Sequence, residues 1–280
     1  MITRFAPSPT GYLHLGHVVN AIHVWGYAGV HAGRVLVRIE DHDRIRSRPE
    51  FERALVEDLA WLGFDACEAT RQSDEPDVYE DALARLRRTA HVYACDCSRR
   101  DIRLQGDTGG GAEHYSGRCR DRGLEARPGY GLRVVLAPGV EHFDDLRLGP
   151  QEQSPALQCG DLLLRDRDGH WTYQFAVTVD DVRQQITHVI RGADLLSSTG
   201  RQIRLARMLG RAEPPRFLHH PLVATSSGEK LSKAAGDTGI RELRAAGVSA
   251  AEVIGLAAAS VGLIARPGPI SANDVASLFR

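Results

Sequence analysis

Two lysines and two histidines are the residues of this chain best suited to handling a polyphosphate. The chain has 280 residues and 35 basic side chains, of which 33 are arginine. The two lysines, Lys230 and Lys233, stand three apart in Gly228-Glu229-Lys230-Leu231-Ser232-Lys233. A chain that meets nearly every need for positive charge with arginine keeps lysine where a compact ammonium on a flexible stem is required. Ser226-Ser227-Gly228 before the motif and Gly236 after it predict a mobile loop. Ammonium groups on such a loop can follow charge as it migrates across phosphates during reaction. Near the other end, His14 and His17 lie in Pro7-Ser8-Pro9-Thr10-Gly11-Tyr12-Leu13-His14-Leu15-Gly16-His17, where an apolar run turns into a helical pattern. Their spacing puts both on one side of the first helical turn. A helix N-terminus beyond the carboxyl end of a strand offers backbone N–H groups to a phosphate. Gly16 removes a side chain where a flat base could approach.

A second chemistry resides in the cysteines. Cys95-Asp96-Cys97 is followed by His114-Tyr115 and then Cys119. Three thiolates converging from an irregular, loop-rich segment predict a structural zinc site. Zinc chemistry favours His114 as the fourth ligand, because three cysteines and a histidine is the commoner set. Tyr115 is the adjacent alternative. Cys67 and Cys159 read as small apolar residues.

The elements that must position these groups follow from periodicity. Ile2–Ala6 reads as a strand, about Leu15–Ala32 as a helix stopped by Gly33, and Val35–Ile39 as a buried strand. Strand, helix, strand within forty residues predicts a parallel sheet. Helices are expected from Pro49 to Leu62 with Gly63 as cap, from Pro76 to His91, and from Ser197 to Leu209. Ser249-Ala250-Ala251-Glu252 is a capping box for a last apolar helix. Between about Val92 and Gly131 regular periodicity fails, and short strands with turns follow. A strand at Ile186–Arg191 restores the α/β alternation.

Composition excludes other classes. With 36 acidic residues the formal net charge is -1, and 42% of the chain is hydrophobic. Neither a disordered chain nor an indiscriminate nucleic-acid binder fits these values. Met1–Phe5 lacks the charged-then-apolar order of a signal peptide. The apolar stretch Val248–Ala265 carries Glu252 and reads as a buried helix rather than a membrane span. Five cysteines do not suggest a disulfide framework. A cytoplasmic protein, acting as a monomer without membrane contact, is expected. Residues 85–127 hold ten arginines against six acids, and Arg201, Arg204, Arg207, Arg211 and Arg216 form a second cluster. A modest basic surface of this kind suits transient RNA docking.

The motifs together resemble a known family. His14-Leu15-Gly16-His17 and Lys230-Leu231-Ser232-Lys233-Ala234 are similar to the two signatures of class I aminoacyl-tRNA synthetases. Arg4-Phe5-Ala6-Pro7-Ser8-Pro9-Thr10-Gly11, Arg38-Ile39-Glu40-Asp41 and Val189-Ile190-Arg191-Gly192-Ala193-Asp194-Leu195-Leu196 resemble glutamyl-tRNA synthetase blocks. The similarity covers about residues 2–240. Only about forty residues follow the lysine motif, where a glutamyl-tRNA synthetase carries its anticodon-reading domain. The chain therefore resembles the glutamyl-queuosine tRNA(Asp) synthetases, which activate glutamate with ATP and attach it to queuosine in the tRNA(Asp) anticodon.

This resemblance implies an α/β fold, a Rossmann-like class I synthetase catalytic domain split by a zinc-containing insertion, with a small C-terminal helical region. The expected boundaries are 1–92 and 186–225 for the two halves, 93–185 for the insertion, and 226–280 for the lysine loop and helical tail. The implied amino-acid pocket is Arg4, Ala6, Ser8, Glu40, Tyr173 and Arg191, with Glu40 on the α-ammonium and Arg191 on the side-chain carboxylate. His14, Gly16, His17 and Lys233 would bind ATP, and Lys230, Lys233, His14 and His17 would act in catalysis, with Mg²⁺ accompanying the nucleotide. For the structural zinc, the resemblance favours Tyr115 beside Cys95, Cys97 and Cys119. The partners implied are L-glutamate, ATP and the tRNA(Asp) anticodon stem-loop. Val177 stands where glutamyl-tRNA synthetases typically have asparagine, as expected of the queuosine-modifying branch. Three alternatives remain: a truncated glutamyl-tRNA synthetase charging the 3′ end, a non-catalytic tRNA-binding paralogue, and a nucleotidyltransferase sharing only the histidine turn.

Overall fold

A computed structural model describes residues 1–104, 114–223 and 239–280. Lys230 and Lys233, with the rest of the expected loop, lie outside the described residues. In chain order the elements are β1 (Ile2–Phe5), α1 (Leu15–Val30), β2 (Arg34–Ile39), α2 (Pro49–Leu62), β3 (Glu68–Arg71), α3 (Pro76–Thr89), β4 (Val92–Cys95) and α4 (Arg99–Leu104). There follow β5 (Gly131–Val134), β6 (Glu141–Asp145), β7 (Gly149–Gln153), α5 (Pro155–Cys159), β8 (Leu162–Arg165), α6 (Tyr173–Arg183) and β9 (His188–Gly192). Then come α7 (Thr199–Met208), β10 (Arg216–His220), α8 (Ile240–Ala245) and α9 (Ala250–Ser260).

The chain divides into two compact units, each discontinuous in sequence. The first comprises 1–72, 186–196 and 215–280; the second comprises 73–185 and 197–214.

In the first unit β2 lies between β1 and β3 and pairs in parallel with both, with Phe5 opposite Val37 and Ile39 opposite Arg71. The near-continuous apolar run of β2 (Val35, Leu36, Val37, Ile39) is what a strand covered on both faces requires. β9 and β10 also pair in parallel, placing Arg191 opposite His219. The Thr187 N–H donates to the Ile2 carbonyl at 2.9 Å, which brings the start of β9 alongside β1. α1 ends at Val30, two residues short of the sequence expectation, because Ala32 itself takes the left-handed conformation (φ 46°) and the Gly33 N–H returns to Ala28. A core of Phe5, Val19, Ile22, Leu55, Ile190, Leu218 and Ile254 joins the sheet to α1, α2 and α9. α9 begins with the expected capping box, Ser249 and Glu252 bonding each other's backbone N–H. A 3₁₀ segment, Ala272–Phe279, closes over α1, with Phe279 edge-on to His23 at 5.3 Å.

In the second unit β5 pairs antiparallel with both β4 and β8. α3, α6 and α7 contribute Leu83, Leu86, Phe175 and Leu205 to its core, beside Val134 and Leu164. The Tyr79 hydroxyl donates to the enclosed Asp180 carboxylate at 3.1 Å, tying α3 to α6. β6 and β7 form a hairpin. Among the described residues no helix is long and apolar enough to cross a membrane.

Candidate active site and cysteine centre

The turn from β1 into α1 is built by its two histidines. His14 is the N-cap of α1: its Nδ1 accepts the Gly16 N–H at 3.1 Å, while His17 Nδ1 accepts the His14 N–H at 3.2 Å. This is a capping box in which imidazoles replace the usual hydroxyl and carboxylate. Because each Nδ1 is an acceptor, each neutral ring carries its proton on Nε2. The rings pack 4.0 Å apart. Gly16 also serves the turn itself. A Cβ there would lie 2.8 Å from His14 Cε1, so the missing side chain makes room for the histidine itself. On the far side, Gly239 bridges to His14 and the Ile240 N–H donates to the Leu13 carbonyl at 3.0 Å.

The expected amino-acid pocket residues of the first unit stand at the carboxyl ends of its parallel strands, where open α/β sheets bind ligands. Arg4 on β1 is 3% exposed and its Nη1 reaches the Ile190 carbonyl at 3.4 Å. Glu40 follows β2 directly, and its N–H donates to the Pro7 carbonyl at 3.0 Å, drawing it beside the turn that contains Ala6 and Ser8. Its Oε1 accepts from Arg38 Nε at 3.2 Å and Nη2 at 2.9 Å, both side chains being buried. Arg191 on β9 is likewise buried and donates its Nε–H to His219 Nε2 at 3.1 Å. His219 must then carry its own proton on Nδ1. Arg38 and His219 were not singled out from sequence. The available signals were a charge pair two apart at a strand end and the His219-His220 doublet. Tyr173 opens α6 in the second unit, after the Thr172 cap.

The cysteine centre lies wholly in the second unit. Cys95, Cys97 and Cys119 converge within 4.8 Å of one another and are buried. Cys97 and Cys119 sulfurs are 3.6 Å apart, and Tyr115 Oη lies 3.4 Å from Cys95 Sγ and 4.0 Å from Cys97 Sγ. Sulfurs held at about 2.3 Å on a tetrahedral ion stand roughly 3.8 Å apart, so three thiols and the phenol fit a zinc ion. His114 is not part of that cluster. Tyr115 is placed by backbone: its N–H donates to the Cys159 carbonyl, and a Cβ on Gly160 would lie 1.8 Å from its carbonyl oxygen. Gly160 (φ 65°) is thus required for the approach.

Charges surround the centre. Arg122 donates to Asp96 at 2.7 Å and to Cys119 Sγ at 3.3 Å. Its guanidinium, then the Cys119 thiol, hold the Asp96 carboxyl below its usual range. Arg120 grips Asp161 with two bonds, and the Tyr93 hydroxyl donates to the same carboxylate at 2.6 Å. Burial pushes the Cys97 thiol up to about 12, with its bond to Cys119 adding to the shift. Burial acts on Cys95 in the same sense, but hydrogen bonds from Tyr115 and Arg133 prevail and lower it.

The predicted basic helical face is largely absorbed internally. Arg204 and Arg207 both bind the buried Glu141, and Arg211 donates to the carbonyls of Glu213 and Asp181.

Residues 1–255 match the family described as tRNA synthetases class I (E and Q), catalytic domain. The glutamyl-Q tRNA(Asp) synthetase of Nitratidesulfovibrio vulgaris is 39% identical, with 99% of this chain and 91% of that protein aligned. The protein of the same name from Ralstonia nicotianae is 45% identical over 90% of this chain and 84% of its own. A crystal structure of a glutamate tRNA ligase from Elizabethkingia meningosepticum, in complex with its amino acid, superposes with a TM-score of 0.78 at 25% identity. It covers 99% of this chain, which spans 64% of that one. The family match and these relatives make the chain a ligase of the class I synthetase type, and it belongs to the glutamyl-Q tRNA(Asp) synthetase family.

Proposed function

We propose that this chain activates L-glutamate with ATP to glutamyl-adenylate and transfers the glutamyl group to the queuosine base in the anticodon stem-loop of tRNA(Asp). The observation that carries the reading is the burial of Arg4, Glu40 and Arg191 at neighbouring strand ends of one unit, beside a turn whose two histidines hold their ring protons on Nε2. A buried carboxylate and two buried guanidiniums suit an amino acid with one ammonium and two carboxylates.

In this reading Glu40, steadied by Arg38, takes the α-ammonium. Arg191, its plane fixed in rotation by His219, takes the side-chain carboxylate in the two-pronged manner of a guanidinium. Arg4, Ala6 and Ser8 line the pocket, and the family resemblance adds Tyr173. The α-carboxylate oxygen attacks the α-phosphorus and pyrophosphate leaves. His14 and His17 donate Nε2–H bonds to phosphate oxygens, and Lys230 and Lys233 meet the charge on the departing pyrophosphate. Mg²⁺ bound with ATP supplies neutralisation of phosphate charge. Positioning and electrostatics suffice, with no protein nucleophile. Cys95, Cys97, Cys119 and Tyr115 would hold a structural zinc.

The deciding assay follows radiolabelled glutamate onto queuosine-containing tRNA(Asp). Label on the base supports the proposal; label on the 3′ end of tRNA(Glu) would replace it with the truncated charging enzyme. No label with either tRNA, together with no glutamate-dependent ATP–pyrophosphate exchange, would leave only a binding module.

A further inference from the structure

We infer that Arg133 is the counter-charge of the cysteine–tyrosine centre, and that its guanidinium, laid over the Tyr115 ring, makes the phenol oxygen a usable fourth ligand for a divalent ion. The inference rests on the zinc reading above. It extends that reading to a positioning residue outside the ligand set.

Arg133 sits on β5 opposite Tyr93 of β4 and is 6% exposed. Its Cζ lies 3.8 Å from the centroid of the Tyr115 ring, and its Nη1 donates to the Asp161 carbonyl at 2.8 Å. Its Nε is enclosed without a hydrogen-bond partner among the described residues. A guanidinium in that setting is costly unless an anion is near. The other two arginines of the centre have theirs: Arg120 is paired with the Asp161 carboxylate and Arg122 with Asp96. Of the three, only Arg133 lacks a carboxylate partner among the described residues.

The charge it can answer is that of the ligands. Three thiolates and a phenolate around a divalent ion leave two negative charges in a buried site. A cation bonded to the Cys95 thiol and stacked on the phenol's own ring offsets part of that charge where it forms. Metal ligands are commonly tuned in this way by a surrounding shell of hydrogen bonds and charge. The same stack also bears on ligand choice, because the ring it covers is that of Tyr115.

The test uses the full chain loaded with zinc, with affinity measured by competition against a chromophoric chelator. A parallel preparation carries Co²⁺, whose charge-transfer and d–d bands report the ligand set. Arg133→Met keeps the bulk and removes the charge, and it is expected to weaken zinc binding about 10–100-fold. Arg133→Lys keeps the charge but loses the planar stack, so an intermediate loss of roughly three- to ten-fold is expected. In a Tyr115→Phe background either substitution should cost less than it does in the wild type, because the phenol oxygen is gone and only the bond to Cys95 remains. Unchanged affinity and an unchanged cobalt spectrum in Arg133→Met would overturn the inference, as would equal losses in both backgrounds. If Arg133→Met does not fold, the Arg133→Lys comparison in the two backgrounds decides by the same criteria. A wild-type chain that binds no zinc would overturn the zinc reading and this inference together, while leaving glutamate activation to stand on its own assay.

Discussion

Arg191 donates its Nε–H to His219 across two parallel strands, and His219 is completely enclosed. The contact fixes the guanidinium plane, and in the proposed pocket that plane receives the side-chain carboxylate of glutamate. His219→Leu should therefore raise the KM for glutamate about 10-fold, near the lower end of what one hydrogen bond to a charged group contributes, with the KM for ATP unchanged. Arg191→Lys should raise it further, by about 10²-fold, since an ammonium cannot reproduce the two-pronged contact. Initial-rate pyrophosphate exchange measures both. A His219→Leu variant with normal glutamate KM would detach Arg191 from the pocket.

The mutual cap of His14 and His17 allows structure and chemistry to be separated. Asparagine is among the best N-caps. His14→Asn is thus expected to alter stability by no more than about 0.5 kcal/mol while lowering exchange about 10²-fold or more. Thermal denaturation read beside kinetics checks this. A comparable fall in both would reduce His14 to a structural cap.

Gly16→Ala places a methyl group 2.8 Å from the His14 ring. The helix tolerates alanine, so circular dichroism should not change. Displacement of the ring by a fraction of an ångström to one ångström should lower turnover about 10²-fold. Retained turnover would mean the ring has another equally good position.

Asp58 on α2 is fully enclosed, and neither of its carboxylate oxygens has a hydrogen-bond partner among the described residues. Burial raises its pKa, although Arg241, 3.6 Å away, pulls in the opposite direction. A carboxyl raised in the folded state binds its proton more tightly there than in the unfolded chain, so stability falls as pH climbs above the unfolded value of about 3.9. Asp58→Asn should therefore match or exceed the wild-type Tm at pH 7–8, and the difference should shrink toward about pH 4. A variant that is less stable near pH 8 and equal near pH 4 would show that attraction to Arg241 governs instead.

Cys119→Ser should release any bound metal and lower the melting temperature of the protein, because binding free energy at a structural site is also folding free energy. Chelator treatment of the wild type should reproduce the shift, and zinc should reverse it. A Tm insensitive to both would remove the centre from the stability of the second unit.

The local features of this fold were legible from short-range patterns. The α1 start, the Pro49 entry to α2, its Gly63 stop and the Ser249–Glu252 box depend on residues within a few positions of one another. What escaped depends on strand register. Arg191 meets His219 only because β9 and β10 pair in parallel with that alignment, whereas Arg38 and Glu40, two apart, share one face of the β2 line. The internal pairing of the arginine face of α7 escaped for the same reason: its partner, Glu141, is 63 residues from Arg204 and carries no periodic signature. The cysteine centre falls between these cases. Its thiols could be read from spacing, while the choice between His114 and Tyr115 rested on backbone contacts to Cys159 and Gly160.

The 3₁₀ segment Ala272–Phe279 that closes over α1 sets an order in time. A ribosome adds about 5–20 residues per second, so the helix that begins at His14 waits on the order of ten to fifty seconds for its cover. During that interval the apolar flank of α1 faces whatever surrounds the nascent chain. Slow stretches of translation in the last third of the message, or scarcity of chaperones that shield such flanks, should lower the yield of active protein without altering a single contact of the finished site.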